Sequence, residues 1–264
     1  MTPSYLLEAP GEGARLFAKV DPPAWAARYA RDLPVDGPVL EVGAGPMHLL
    51  EAAMTVTGQP GVGVDTSVSR LQFADRKQPR GDSAVPTPVC AEATRLPFRN
   101  GSFGLSYARF VLEYLPDPSA AVLEMARVTR PGGHLLLQDL DGQLILHYPV
   151  DPDLQGALET FLSKTRGRFD PNVGRKLFSY ARSAGLIDLA VQLEPYHLIA
   201  GAADNPTLAL WDAKLTHAFP AAADVLGSGL AAHTKQRFLD YLANPDTLTY
   251  SQQFTVTGRT RGGL

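Results

Sequence analysis

The 264-residue chain has a single cysteine, Cys90, which excludes an internal disulfide and a thiolate metal cluster. Cys90 sits in an apolar, strand-like run, so a buried structural thiol is expected. No apolar run approaches the ~20 residues needed to span a bilayer, and the first residues lack the basic-then-apolar order of a signal peptide. A cytoplasmic location is therefore the expectation. Positive charge is also scarce: 24 Lys and Arg stand against 27 Asp and Glu, for a net charge of −3. That balance offers no global field to nucleic acid or an anionic membrane, and neither is expected as a partner. Low-complexity tracts and internal repeats are absent. At 45% hydrophobic and 19% charged residues, the composition is that of a globular chain able to bury a substantial core.

The chain does carry a regular alternation of strand and helix signals. It is organised around VLEVGAGPMHLL, residues 39–50, where an apolar run ends in Glu41 and a glycine turn, Gly43-Ala44-Gly45, leads into a helix over 46–56. Before it, Leu16, Val20, Trp25 and Tyr29 recur at helical spacing around Pro22-Pro23, which predicts an N-terminal helical lid over residues 1–36. After it, strands are expected at 61–64, 85–90, 103–108 and 134–138, with helices over 67–77 and 120–129 between them. Pro131-Gly132-Gly133 is expected to stop the second helix and launch the fifth strand. This rhythm predicts a doubly wound α/β fold, a Rossmann-like, mostly parallel sheet with a ligand crevice at the carboxyl ends of its strands. Beyond residue 140 the pattern gives helix over 154–184, strand over 186–193, helix again over about 205–243 and a final antiparallel strand over 247–257. The 205–243 stretch reads as a helical cap inserted between the last two of seven strands.

Two enzyme classes use a first strand, a glycine turn and an acidic end to the second strand. Asp65, 22 positions after Gly43, suits the ribose hydroxyls of either. A nicotinamide-dependent oxidoreductase is the weaker reading, because His48 stands where the dinucleotide fingerprint wants glycine and Glu41 would repel a pyrophosphate. A nucleoside with a cationic amino-acid tail suits Glu41 better. With LEVGAG at 40–45, GVDTSVSRL at 63–71, CAEATRLPF at 90–98, SYARFVLEYLPDP at 106–118 and ARVTRPGGHLLLQD at 126–139, residues 37–141 resemble the class I S-adenosylmethionine-dependent methyltransferases. The fourth motif is similar to the ubiquinone and menaquinone biosynthesis branch. The resemblance implies S-adenosylmethionine as cofactor, Glu41 at its ammonium, and Gly43, Ala44 and Gly45 in close contact with it. It further implies Asp65 and Thr66 at the ribose, Glu92 and Ala93 at the adenine, and Ala108 and Arg109 at the end of the fourth strand. Family members often have glycine where this chain has Met47, a side chain expected to narrow the space around the methionine moiety.

Residues 37–141 are thus expected to be the cofactor-binding half, and 142–264 the substrate-side half. The acceptor is expected to be a small, apolar or aromatic molecule. His147 is the candidate base, needed only where the acceptor must lose a proton. Tyr5, Trp25, Tyr148, Tyr196 and Trp211 are candidate acceptor lining, against the plainer reading of core packing. Arg109 has an alternative as the ion-pair partner of Glu113, one helical turn on. Asp139 and Asp141 are similar to the acidic ligands of magnesium-dependent catechol methyltransferases, but no third acid converges on them in the sequence, and no metal is expected. The basic tract from Lys164 to Lys176 reads as a solvated helix face rather than a nucleic-acid groove. The non-enzyme alternative is a cofactor-binding sensor or scaffold.

Overall fold

A computed structural model of the chain describes residues 20–77 and 85–262, with the side chains of 73–77 outside that description. Tyr5 and Leu16, and with them most of the expected lid, lie outside the described residues. The order is α1 (Pro22–Tyr29), β1 (Val39–Val42), α2 (His48–Thr57), β2 (Gly61–Asp65), α3 (Val68–Lys77), β3 (Thr87–Cys90) and β4 (Phe103–Arg109). There follow α4 (Pro118–Val128), β5 (Thr129–Asp141), β6 (His147–Tyr148), α5 (Pro152–Lys164), α6 (Leu177–Ser183) and β7 (Ile187–Ala200). The described chain closes with α7 (Asn205–Leu226), α8 (Ser228–Leu242) and β8 (Leu248–Arg259).

The sheet runs β3-β2-β1-β4-β5-β8, with β7 on the far side of β8. Strands β1 to β5 pair in parallel, and β8 is antiparallel to both neighbours. An eighth strand, the two-residue β6, was not expected; it pairs with Leu248 and Thr249 at the start of β8, before the β5 register begins at Gln252. Parallel strands need crossover helices on both faces, and the core divides accordingly. On one face Leu40, Val42, Ala108, Leu135 and Leu137 pack with Val122 and Met125 of α4 and with Leu177 and Ala181 of α6. On the other, Leu105, Tyr107 and Leu136 pack with Trp25 of α1 and with Leu50 and Met54 of α2.

Several boundaries differ from expectation, each for a local reason. The helix after β1 begins at His48 rather than residue 46, because Met47 is held at φ 56 outside the helix. Pro131-Gly132-Gly133 does not launch β5 but lies within it: the strand already begins at Thr129, and its register against β4 shifts between Phe103 and Leu105. The expected 154–184 helix is two, separated by a loop holding Gly167 at φ 86 and Pro171. Cys90 is exposed rather than buried, because β3 is the edge strand, where Pro88 is also tolerated.

The inserted hairpin α7–α8 does fall between β7 and β8. Gly227, at φ 80, caps α7 and lets the chain reverse into α8. Its apolar faces meet α5 in a satellite core of Leu154, Leu158, Trp211, Phe238, Tyr241 and Leu242.

Candidate active site

The carboxyl ends of β1, β2 and β4 open onto a cavity of about 410 Å³. Its floor is the turn after β1, where Gly43 sits at φ 71 and a Cβ would fall 2.3 Å from Val111 Cγ2. No side chain fits there, so the loop after β4 closes directly on the glycine. Glu41, Gly43, Ala44, Gly45, Asp65, Thr66, Glu92, Ala93 and Arg109 all line the cavity. Ala108 does not; it points into the core as the neighbour of Arg109 on β4.

Glu41 is the chemically unusual group. It is 4% exposed, and its Oε2 has no hydrogen-bond partner among the described residues. Burial pushes its carboxyl up to about 8, against the opposing pull of Tyr107 and Arg109. A buried acceptor without a donor is costly, and Glu41 is at the same time a lining residue of the cavity. The structure therefore fits a ligand ammonium at Glu41.

Asp65 is more fully engaged. Its Oδ2 accepts from Gly45 N at 2.9 Å, while Oδ1 accepts from Ser67 N and from Arg70 Nη2, both at 2.8 Å. Asp65 thus ties the glycine turn to β2, caps the turn into α3 and pairs with a buried guanidinium. A carboxylate offers about four lone-pair sites, so one remains on Oδ2 for a ligand hydroxyl, and a second hydroxyl would have to take Arg70's place.

Met47 does not narrow the cavity. Its side chain, 3% exposed, turns under the sheet onto β2, where a Cβ on Gly63 would lie 2.7 Å from Met47 Sδ. Gly63 makes the room that Met47 fills.

Arg109 reaches the cavity from β4 as a fixed cation. Its Nε donates to Gln138 Oε1 at 2.9 Å, its guanidinium lies 3.9 Å from the Phe110 ring centroid, and Gln138 is held in turn by Trp25 Nε1 and Thr255 Oγ1. Burial lowers its pKa, against Tyr196, Glu41 and Asp139, which favour the charged form. The helical spacing to Glu113 does not arise, because Phe110 at φ 56 breaks the chain direction between them.

The expected acceptor residues are scattered. His147 lies outside the cavity in β6, with Nδ1 on Thr249 Oγ1 at 2.9 Å, Nε2 on Leu144 O at 3.1 Å, and its ring against Phe238 and Tyr241. Both nitrogens are committed to protein partners, so it is a packing histidine and not a base in this cavity. Trp25 is in the core against Tyr107, Tyr148 is 72% exposed on β6, and Trp211 is buried in the cap. Tyr196 does not line the cavity, though its ring meets Phe110, which does. Asp139 holds the loop after β4 by accepting from Val111 N and Glu113 N, and Asp141 holds Arg175. Within the basic tract Arg175 and Lys176 are thus paired, the latter with Asp170.

Sequence reasoning did not place in the cavity several further polar lining residues, among them His48, Arg70, Glu113 and Lys214. Burial takes His48 down to about 4, so its ring is neutral near pH 7. Arg70 was legible only as a helix residue. Glu113 sits in a turn, and Lys214 arrives from the inserted hairpin, which no local pattern connects to the glycine turn.

Residues 40–137 match the family described as a methyltransferase domain. The demethylmenaquinone methyltransferase of Paenarthrobacter aurescens (strain TC1) is 32% identical over 116 residues, 44% of this chain and 44% of that protein. The chain spans less than half the length of the curated relatives it matches. A putative methyltransferase from Bacillus halodurans C-125 shares the fold at a TM-score of 0.57 and 18% identity, covering 90% of this chain and 98% of that one. The [4+2]-cyclase SpnF shares it equally well, at a TM-score of 0.59 and 17% identity over 98% of this chain and 95% of that one. The fold alone therefore does not decide the reaction.

Proposed function

We propose that this chain is an S-adenosylmethionine-dependent methyltransferase acting on a small, apolar or aromatic acceptor. The observation that carries the reading is the buried, unpartnered Glu41 oxygen at the head of a glycine-turn cavity, within the segment that matches a methyltransferase domain. A dinucleotide would place phosphates at this turn, against a carboxyl group. A sulfonium nucleoside places a cation there.

When bound, the cofactor supplies an activated methyl group. Glu41 accepts the ligand ammonium, and the 43–45 turn allows its close approach. Asp65 and Thr66 hold the ribose, with Asp65 offering its open Oδ2 site. Glu92 and Ala93, the latter through its backbone, face the adenine. Arg109 is kept rigid by Gln138 and sets the field beside Glu41. Phe110, Val111, Tyr114 and Leu115 supply an apolar wall for the acceptor, in keeping with the quinone-type name of the Paenarthrobacter relative. Residues 37–141 then form the cofactor half, and 142–262, through Lys214, part of the acceptor half. Holding the acceptor in line in a site that excludes water accounts for much of the acceleration such a transfer needs.

Calorimetric titration with S-adenosylmethionine, S-adenosylhomocysteine and NAD tests this directly. Saturable binding of both sulfur nucleosides and none of NAD is expected. Absence of both in folded, ligand-free protein overturns the reading.

A further inference from the structure

Glu113 is the buried acid of the cavity that the cofactor reading leaves unused. It is 1% exposed yet lines the cavity, and the fold clamps its backbone on both sides. Its N–H donates to Asp139 Oδ2 at 3.2 Å and its carbonyl accepts from Asp170 N at 2.7 Å. Its side chain is matched by two polar groups from the substrate-side half. With the Gln143 amide oriented to satisfy both neighbours, Nε2 donates to Glu113 Oε2 at 3.3 Å and Oε1 accepts from Lys214 Nζ at 2.5 Å. Gln143 is itself 1% exposed, and Lys214 also lines the cavity, with its ammonium 4.8 Å from the Trp211 ring centroid. A carboxylate and an ammonium therefore face one cavity, held in register by one buried amide.

We propose that Glu113 is the proton acceptor for the methyl acceptor, with Lys214 balancing the charge that develops, so that the acceptor presents an ionisable O–H such as a phenol or enol. The proposal rests on the methyltransferase reading. The methyl carbon leaves sulfur, whose bonding pair stays on sulfur; the O–C bond forms from an oxygen lone pair; and the O–H proton passes to the Glu113 carboxylate.

The surroundings suit that role. Asp139, directly behind Glu113, accepts from three backbone N–H groups, those of Val111, Glu113 and Leu140, so it is fixed as a scaffold. Burial, and after it the charge of Glu113, raises Asp139 well above the ordinary carboxyl range. The charge of Glu113 thus disfavours a second negative charge on Asp139, whose oxygens are already taken up by the backbone. Lys214 repels a protonated amine acceptor, and a thioether has no proton for Glu113 to take.

The test uses the whole chain and two aromatic probes, 2-naphthol and its methyl ether 2-methoxynaphthalene. With S-adenosylhomocysteine bound, the wild-type protein is expected to prefer the naphthol by tenfold or more, since a site built around a hydroxyl rejects the analogue lacking it. Glu113→Leu should abolish that preference and leave S-adenosylhomocysteine affinity within threefold, which also shows that the variant folds. In single turnover with S-adenosylmethionine and 2-naphthol, Glu113→Gln should lower the rate by about 10² to 10⁴, the usual worth of a positioned base. Equal affinity of the wild type for the two probes, or a Glu113→Gln rate within threefold of wild type, overturns the proposal. Failure of the wild type to bind S-adenosylhomocysteine overturns the methyltransferase reading instead.

Discussion

At the scale of single residues, what was legible was what lies contiguous in the chain. Glu41, the 43–45 turn, Asp65, Glu92 and Arg109 stand at strand ends, and parallel strands deliver their ends to one crevice. The aromatic candidates were not legible in the same way, because an aromatic side chain packs equally well in a core; Trp25 and Trp211 do so, and Tyr148 faces solvent. Met47 shows how a side chain's direction hides from the sequence. Truncating it to Ala removes buried volume under Gly63, and a loss of about 2 to 4 kcal/mol is expected in urea denaturation. Met47→Gly should lose about 1 kcal/mol less, because glycine relieves the strain of φ 56. Asp65 calls for similar care. Asp65→Asn leaves the Arg70 guanidinium buried beside a neutral amide, so a stability loss of about 3 kcal/mol is expected along with weaker nucleoside binding. The double variant with Arg70→Met should recover at least half of the stability without recovering affinity. Recovered affinity, measured in the same calorimeter, removes Asp65 from the cofactor site.

At the scale of elements, the alternation of strands and helices was readable up to β5 because each unit carries its own signal: an apolar run, a turn, a periodic helix. The failures came where a partner strand decides. β5 runs through Pro131-Gly132-Gly133 because Thr129 is locked on both sides, its Oγ1 bonded to Met125 O and to Ser106 Oγ. The strand β6 exists only because β8 arrives beside it a hundred residues later in the chain, at Thr249. The cap was readable as helices but not by its docking. That docking runs through Asp151, which caps α5 by accepting from Leu154 N and receives Arg237 Nε of α8 at 2.8 Å. The pair is largely solvent-screened and contributes little by charge alone. The cap bond adds to it, so Asp151→Ala should cost about 1 kcal/mol and loosen the α5–α8 contact. Hydrogen exchange at α5 and α8 rising together, with β1 to β5 unchanged, is the expected pattern; uniform change across the sheet contradicts it.

At the scale of the whole molecule, the cavity places its own acid in conflict with folding. Unfolded, Glu41 titrates near 4.5; folded without a ligand, burial moves it to about 8. Between those values the folded chain holds a proton that the unfolded chain has released, so stability falls as pH rises through the window, by up to about 1.4 kcal/mol per unit, and levels off above pH 8. Asp151 and Glu124 act in the opposite sense. Hydrogen bonds from Arg237 and Arg127 hold them below the ordinary carboxyl range, so their small contribution is present at neutral pH and lost as acid protonates them. Glu41→Gln removes the first effect only. The variant is therefore expected to unfold at a higher temperature than wild type at pH 8, to match it near pH 4.5 and to bind S-adenosylmethionine more weakly at both. In the wild type an ammonium brought to Glu41 favours the ionised carboxyl, so binding near pH 7 should release close to one proton. Calorimetry in two buffers of different ionisation enthalpy reads that proton as a difference in apparent binding heat. An identical heat in both buffers would mean that the ligand leaves the Glu41 carboxyl protonated, and the ammonium would have to be placed elsewhere in the cavity.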